Sequence, residues 1–137
     1  MKKLITTLIF LCTSLLSSEV DVAAKIIDKI SVALTKKEKI KVYTNDIKNL
    51  YIVKISEHLN NSKSCVGADL VLTKDKSIYN CDKDILVFTT NYLSFKSLPN
   101  AVGAFFYQKG RPSIIFRKEV LKRHNIVLSN EFNKYIE

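Results

Sequence analysis

The chain has 137 residues, room for one domain, and 47% of them are hydrophobic, which fills one core and excludes a disordered chain. The formal net charge is +9, but the lysines and arginines are scattered and form no aromatic-interleaved stripe, which speaks against a nucleic-acid surface. They read as a solvated surface, or as an attraction toward an anionic envelope surface or an acidic partner protein.

Residues 1–18 read as a secretory signal peptide. Lys2 and Lys3 form its positive start, Leu4 to Leu16 its apolar middle, and Ser17-Ser18 its small residues before cleavage. The segment is short and wrongly flanked for a stable membrane span. Cys12 follows Leu11 where a lipidation motif needs a small residue, so no lipid anchor is expected. Removal of the leader lowers the formal charge to +7 and leaves residues 19–137 as a single α/β domain with two cysteines, Cys65 and Cys81. The expected location is the periplasm, and an even cysteine count in an exported protein reads as a disulfide.

From Val20 to Leu34, Ala23, Ile26, Ile27, Ile30 and Ala33 recur at helical spacing, with Asp28 and Lys29 opposite. Ile40 to Thr44 alternates as a strand. Asn45-Asp46 then caps a second helix whose buried face is expected to be Ile47, Leu50, Tyr51, Ile55 and Leu59, although the β-branched run Leu50–Ile55 also suits a strand. Asn60 to Ser64 reads as a loop. Ala68–Thr73 and Asp84–Thr89 each enter on or beside an acidic residue and run nearly continuously apolar, as parallel strands covered on both faces do. A helical turn is expected near Ile78-Tyr79. Cys65 and Cys81 each lie three residues before such a strand, so parallel neighbours place them at one end of the sheet. Closing that loop is worth ~3 kcal/mol in the chain-entropy model.

Thr90-Asn91 caps a short helix carrying Tyr92, Leu93 and Phe95, ended by Leu98-Pro99. Ala101 to Phe116 is a hairpin, two aromatic-rich runs around Gln108-Lys109-Gly110-Arg111, with Gly110 and Pro112 shaping the turn. Short helices follow at Lys118–Arg123 and at Ser129–Tyr135, the latter capped by Ser129. The order α-β-α-β-β-α-β-β-α-α makes a mixed sheet of about five strands with flanking helices, closed by an antiparallel hairpin.

The chemical inventory is thin. His58 and His124 lack partners at metal-ligand spacing and read as surface or helix-end residues. Asp69, Asp82 and Asp84 flank strands as ordinary surface carboxylates do, so no catalytic residue, cofactor or metal site is assigned. No phosphate loop, dinucleotide fingerprint or nucleophile elbow is present in the sequence. Lys109 and Arg111, beside Tyr107, are the candidate contacts for a partner's carboxylate or a small anion.

Four runs carry a resemblance: C-V-G-A-D-L-V-L-T from Cys65, D-I-L-V-F-T-T-N-Y from Asp84, V-G-A-F-F-Y-Q-K-G-R-P-S-I-I-F-R-K-E-V-L from Val102, and L-S-N-E-F-N-K-Y-I from Leu128. In layout, from Ile40 to Ile136, they are similar to the YfiR family of small periplasmic regulators. The chain also resembles short exported bacterial proteins carrying G-A-F-x-x-Q-K-G-R-P. The YfiR likeness implies a non-enzymatic protein that binds the periplasmic part of a membrane diguanylate cyclase and holds it inactive, modulated by disulfide state. Cys65 carries over, whereas the second cysteine and the K-G-R-P turn depart from the family pattern. The expectation is therefore an exported binding module that regulates a membrane signalling protein. The alternative is a small-solute or anion-binding protein resembling half of a periplasmic binding protein.

Overall fold

The computed structural model describes residues 2–75 and 81–137, with side chains from residue 19 onward. The expected turn at Ile78-Tyr79 lies outside the described residues, and residues 2–18 of the proposed leader fall in the first half of a helix, α1 (Lys2–Thr35).

The elements that follow are β1 (Ile40–Tyr43), α2 (Ile47–Ile55), β2 (Leu59–Ser62), β3 (Leu70–Thr73), β4 (Val87–Thr89), α3 (Tyr92–Ser97), β5 (Ala101–Gln108), β6 (Arg111–Phe116), α4 (Lys118–Arg123) and a 3-10 helix (Asn130–Tyr135). They form one six-stranded sheet in the order β2-β1-β3-β4-β5-β6. β1 to β5 are parallel, and β6 returns antiparallel along β5. The mixed sheet with a closing hairpin matches the expected class, with one strand more.

That extra strand is β2, where a loop was expected. Its sequence Leu-Asn-Asn-Ser is polar because an edge strand with one neighbour needs little apolar surface. Leu59, expected on the second helix, instead opens this strand.

Two apolar layers hold the sheet. On one face Ile27 and Ile30 of α1, Ile52 and Val53 of α2, Val120 of α4 and Phe132 pack over Val42, Leu70, Leu72, Phe88 and Val102. On the other, Phe95 of α3 packs with Cys65, Val71, Val87 and Ala104. The continuous apolar runs of β3 and β4 are explained by this double cover, since neighbouring side chains point to opposite layers.

α2 is a helix, capped by the Asp46 carboxylate, which accepts from the Asn49 N–H at 3.0 Å. Its inward face is the reverse of the expected one. Asn49, Ile52 and Val53 are buried, while Ile47, Leu50, Tyr51 and Ile55 are exposed. α3 starts as expected, with Asn91 accepting from the Ser94 N–H. Ser129 holds the cap position of the 3-10 helix, but its side chain makes no capping bond.

In β5 the register against β4 shifts between Val87 and Phe88, and Gly103 sits just past this irregularity. A Cβ there would run into the Ile115 carbonyl oxygen and lie 3.0 Å from the Phe116 ring and 3.1 Å from that of Phe88. Close approach of β6, rather than a turn, requires this glycine.

Candidate functional site

The parallel strands all point their carboxyl ends the same way, and the hairpin tip lies at that end. Lys109 (φ 53°) and Gly110 (φ 75°) form the two-residue turn, a left-handed pair suited to the strand twist. Pro112, expected in the turn, stands inside β6 opposite Tyr107. The Arg117 N–H donates to the Val102 carbonyl at 2.8 Å, which sets the alternation of the ladder. By that alternation Pro112 and Ile114 direct their backbone outward at the open edge. Proline leaves no unpaired N–H there, which blunts the edge against pairing with another strand. Nearer the base the edge is covered, with the Glu137 N–H donating to the Phe116 carbonyl at 2.9 Å.

The expected contact trio does not form one cluster. Tyr107 shares a sheet face with Phe105, Pro112 and Ile114, whereas Arg111 alternates to the face of Phe106 and Ile115. The Tyr107 hydroxyl donates to the Glu19 carbonyl at 2.9 Å, tying the hairpin to α1. Burial, helped by the Glu19 charge, raises the Tyr107 pKa above its ordinary value. Tyr107 therefore braces the fold, and Lys109 and Arg111 are left at an exposed tip.

Cys65 and Cys81 are disulfide-bonded, with Cα atoms 5.4 Å apart, and Cys65 is buried in the second layer beside Val71 and Phe95. The bond staples the approach to β3 to that of β4, as their spacing implied, and is compatible with an oxidising compartment.

Several charged residues have structural tasks that sequence reading missed. Asp69 accepts from Lys37 Nζ at 2.6 Å and from the Lys41 N–H at 2.9 Å. Burial pushes its pKa up, but these two donors outweigh it and the net shift is downward. Asp82 accepts from the Asp84 N–H at 3.1 Å. The three aspartates border one depression of about 490 Å³ together with His124 at the end of α4. Among the described residues no group of three or more His, Cys, Asp or Glu is placed to hold a metal ion. His58 binds Asp28 of α1 twice, through its N–H (2.8 Å) and Nδ1 (2.7 Å). Arg117 donates to the carbonyls of Phe95, Leu98, Pro99 and Ala101 and so caps the end of α3. A cation standing just after an aromatic strand was the only sequence hint of this role.

Among the described residues, the surfaces outside these tasks include two with apolar character. One is the outward stripe of α2, where Ile47 is 86% exposed and Leu50, Tyr51 and Ile55 follow at helical spacing. The other is a groove of about 510 Å³ along β6, walled by Tyr92, Phe106, Ile115 and Tyr135. Among the described residues no helix is long and apolar enough to cross a membrane.

The fold is a doubly wound α/β domain with an antiparallel edge strand. Comparison of the chain with protein-family models, curated proteins and solved structures returns no match.

Proposed function

We propose that the protein is an exported, non-enzymatic module that regulates a membrane signalling protein by direct contact, in the manner of the YfiR-type proteins it resembles. The observation that carries this reading is the apolar stripe Ile47, Leu50, Tyr51 and Ile55 turned to solvent on α2. An aromatic and three branched apolar side chains on one exposed helix face resemble the core of a protein interface more than a solvated surface. Lys48 and Lys54, exposed on the same helix, suit a partner with an acidic rim. The structural engagement of Asp69, Asp82 and His58 supports the non-enzymatic part of the reading. The disulfide supports placement in the periplasm.

The test is a photo-crosslinking residue at Leu50 in the exporting cell. The expected product is an adduct with a membrane protein through its periplasmic domain, lost when Ile47→Asp and Tyr51→Asp are introduced together. An adduct with a second copy alone, or an adduct that persists in the double variant, overturns the proposal.

A further inference from the structure

The strand order reverses between β1 and β3. The chain leaves β1 for β2 on one side, and leaves β3 for β4 on the other. Loops that diverge in this way open a crevice beyond the carboxyl ends of the two strands, which is where open α/β sheets bind ligands. In this molecule the crevice contains a cavity of about 120 Å³.

Its walls differ in chemistry from side to side. Lys48 and Lys74 supply two ammonium groups, and neither makes an ion pair among the described residues. Lys48 stands in the first turn of α2, which carries no acidic residue. The Asp46 carboxylate also borders the cavity and serves the helix end by accepting from the Asn49 N–H, so the two lysines leave the lining one positive charge in excess. Asn49, only 1% exposed, donates through Nδ2 to Thr90 Oγ1 at 3.1 Å and forms a fixed polar floor. Ser94 Oγ donates to the Lys74 carbonyl at 2.7 Å, which holds that lysine's backbone in place. Phe105 and Tyr107, which share a sheet face with ring centres 5.4 Å apart, supply an aromatic wall.

We propose that this cavity binds a small organic anion. Its carboxylate lies between Lys48 and Lys74, and its apolar body lies against Phe105 and Tyr107. The size limits the body to about one ring, since an apolar cavity of roughly 150 Å³ admits benzene. This site is separate from the hairpin tip where an anion contact was expected from sequence, and it does not rest on the contact-regulator reading.

The test is a titration of ¹⁵N-labelled protein with benzoate, with benzyl alcohol as the uncharged probe of similar size. Benzoate is expected to move the Asn49 side-chain amide and the Thr90 backbone amide saturably, while benzyl alcohol leaves both in place. Lys48→Gln with Lys74→Gln is expected to weaken benzoate at least tenfold, and Lys109→Gln with Arg111→Gln to leave it unchanged. Both lysines are exposed, so an unchanged melting temperature accompanies the loss. No saturable shift, equal binding of the alcohol, undiminished binding by the Lys48/Lys74 variant, or loss in the Lys109/Arg111 variant each overturns the proposal.

Discussion

Arg117 and Phe95 are joined twice: the guanidinium carbon lies 4.0 Å from the centre of the Phe95 ring, and Nη2 donates to the Phe95 carbonyl at 2.9 Å. One side chain from the end of β6 thus satisfies the orphan carbonyls at the end of α3 and fixes the loop leading into β5. Arg117→Ala is expected to lower unfolding free energy by about 2 kcal/mol, because hydrogen bonds from a charged donor are lost and carbonyls are left partly buried. Arg117→Lys is expected to recover only part of this, since an ammonium cannot reproduce the planar fork. Urea unfolding of the three proteins at matched slope measures both.

The Asp28–His58 pair makes stability depend on pH. Its hydrogen bond to Asp28 raises the His58 pKa above the ordinary 6.5, outweighing the opposing effect of burial. A raised folded-state pKa contributes stability that is fully present below 6.5 and is lost as pH rises through the folded value. Asp69 behaves oppositely, because its lowered pKa contributes stability present above 3.8 and lost as pH falls through the folded value. The melting temperature is therefore expected to peak in mildly acidic buffer. His58→Gln is expected to flatten the alkaline limb alone, and Asp69→Asn the acid limb alone. Thermal scans from about pH 3 to pH 9 follow both limbs.

The reversed face of α2 gives a paired test. Ile52→Ala is expected to cost about 3 kcal/mol by leaving a cavity under the helix. Ile47→Ala is expected to stay within about 0.5 kcal/mol, because Ile47 is exposed. Chemical denaturation that ranks the two the other way contradicts the observed orientation.

Gly103 and Gly110 are expected to respond to alanine for different reasons. At Gly103 the added carbon meets backbone as well as two rings, so the cost is about 3 kcal/mol, the upper end for overpacking. At Gly110 there is open space around the added carbon but φ is +75°, so the cost is about 1 kcal/mol. Gly110→Asn is expected to be milder than Gly110→Ala, since asparagine tolerates the left-handed region, which equilibrium unfolding can resolve.

Peptide mapping of the protein prepared without reductant is expected to find Cys65 and Cys81 linked and refractory to alkylation until reductant is added. Reduction, or Cys65→Ser with Cys81→Ser, is expected to lower stability by about 3 kcal/mol by releasing the closed loop. Free thiols on both peptides before reduction contradict the pairing.

Much of the fold was legible from local pattern. The caps at Asp46 and Asn91, the apolar runs of β3 and β4, the glycine of the hairpin turn and the cysteine spacing each act over a few residues, and each is present in the structure, although both strands are shorter than their apolar runs and Pro112 lies in β6 rather than in the turn. The candidate site was less legible. Tyr107, Lys109 and Arg111 are close in sequence, yet strand alternation sends Tyr107 and Arg111 to opposite faces, and the contact with Glu19 draws the tyrosine into the structure.

The amino-acid sequence by itself determined the class of the fold, the disulfide and the hairpin with Gly110 in its turn, because turn chemistry, caps and apolar runs are short-range constraints. Only the tertiary structure decided which side of α2 faces inward, since that helix is apolar around most of its circumference and periodicity alone does not choose a side. It also decided that Leu59–Ser62 pairs as an edge strand, whose hydrogen bonds to β1 depend on register rather than on side-chain character. The partners of Arg117, the Asp28–His58 pair and the cavity between Lys48 and Lys74 join residues far apart in the chain, and such neighbours exist only once the sheet order is set.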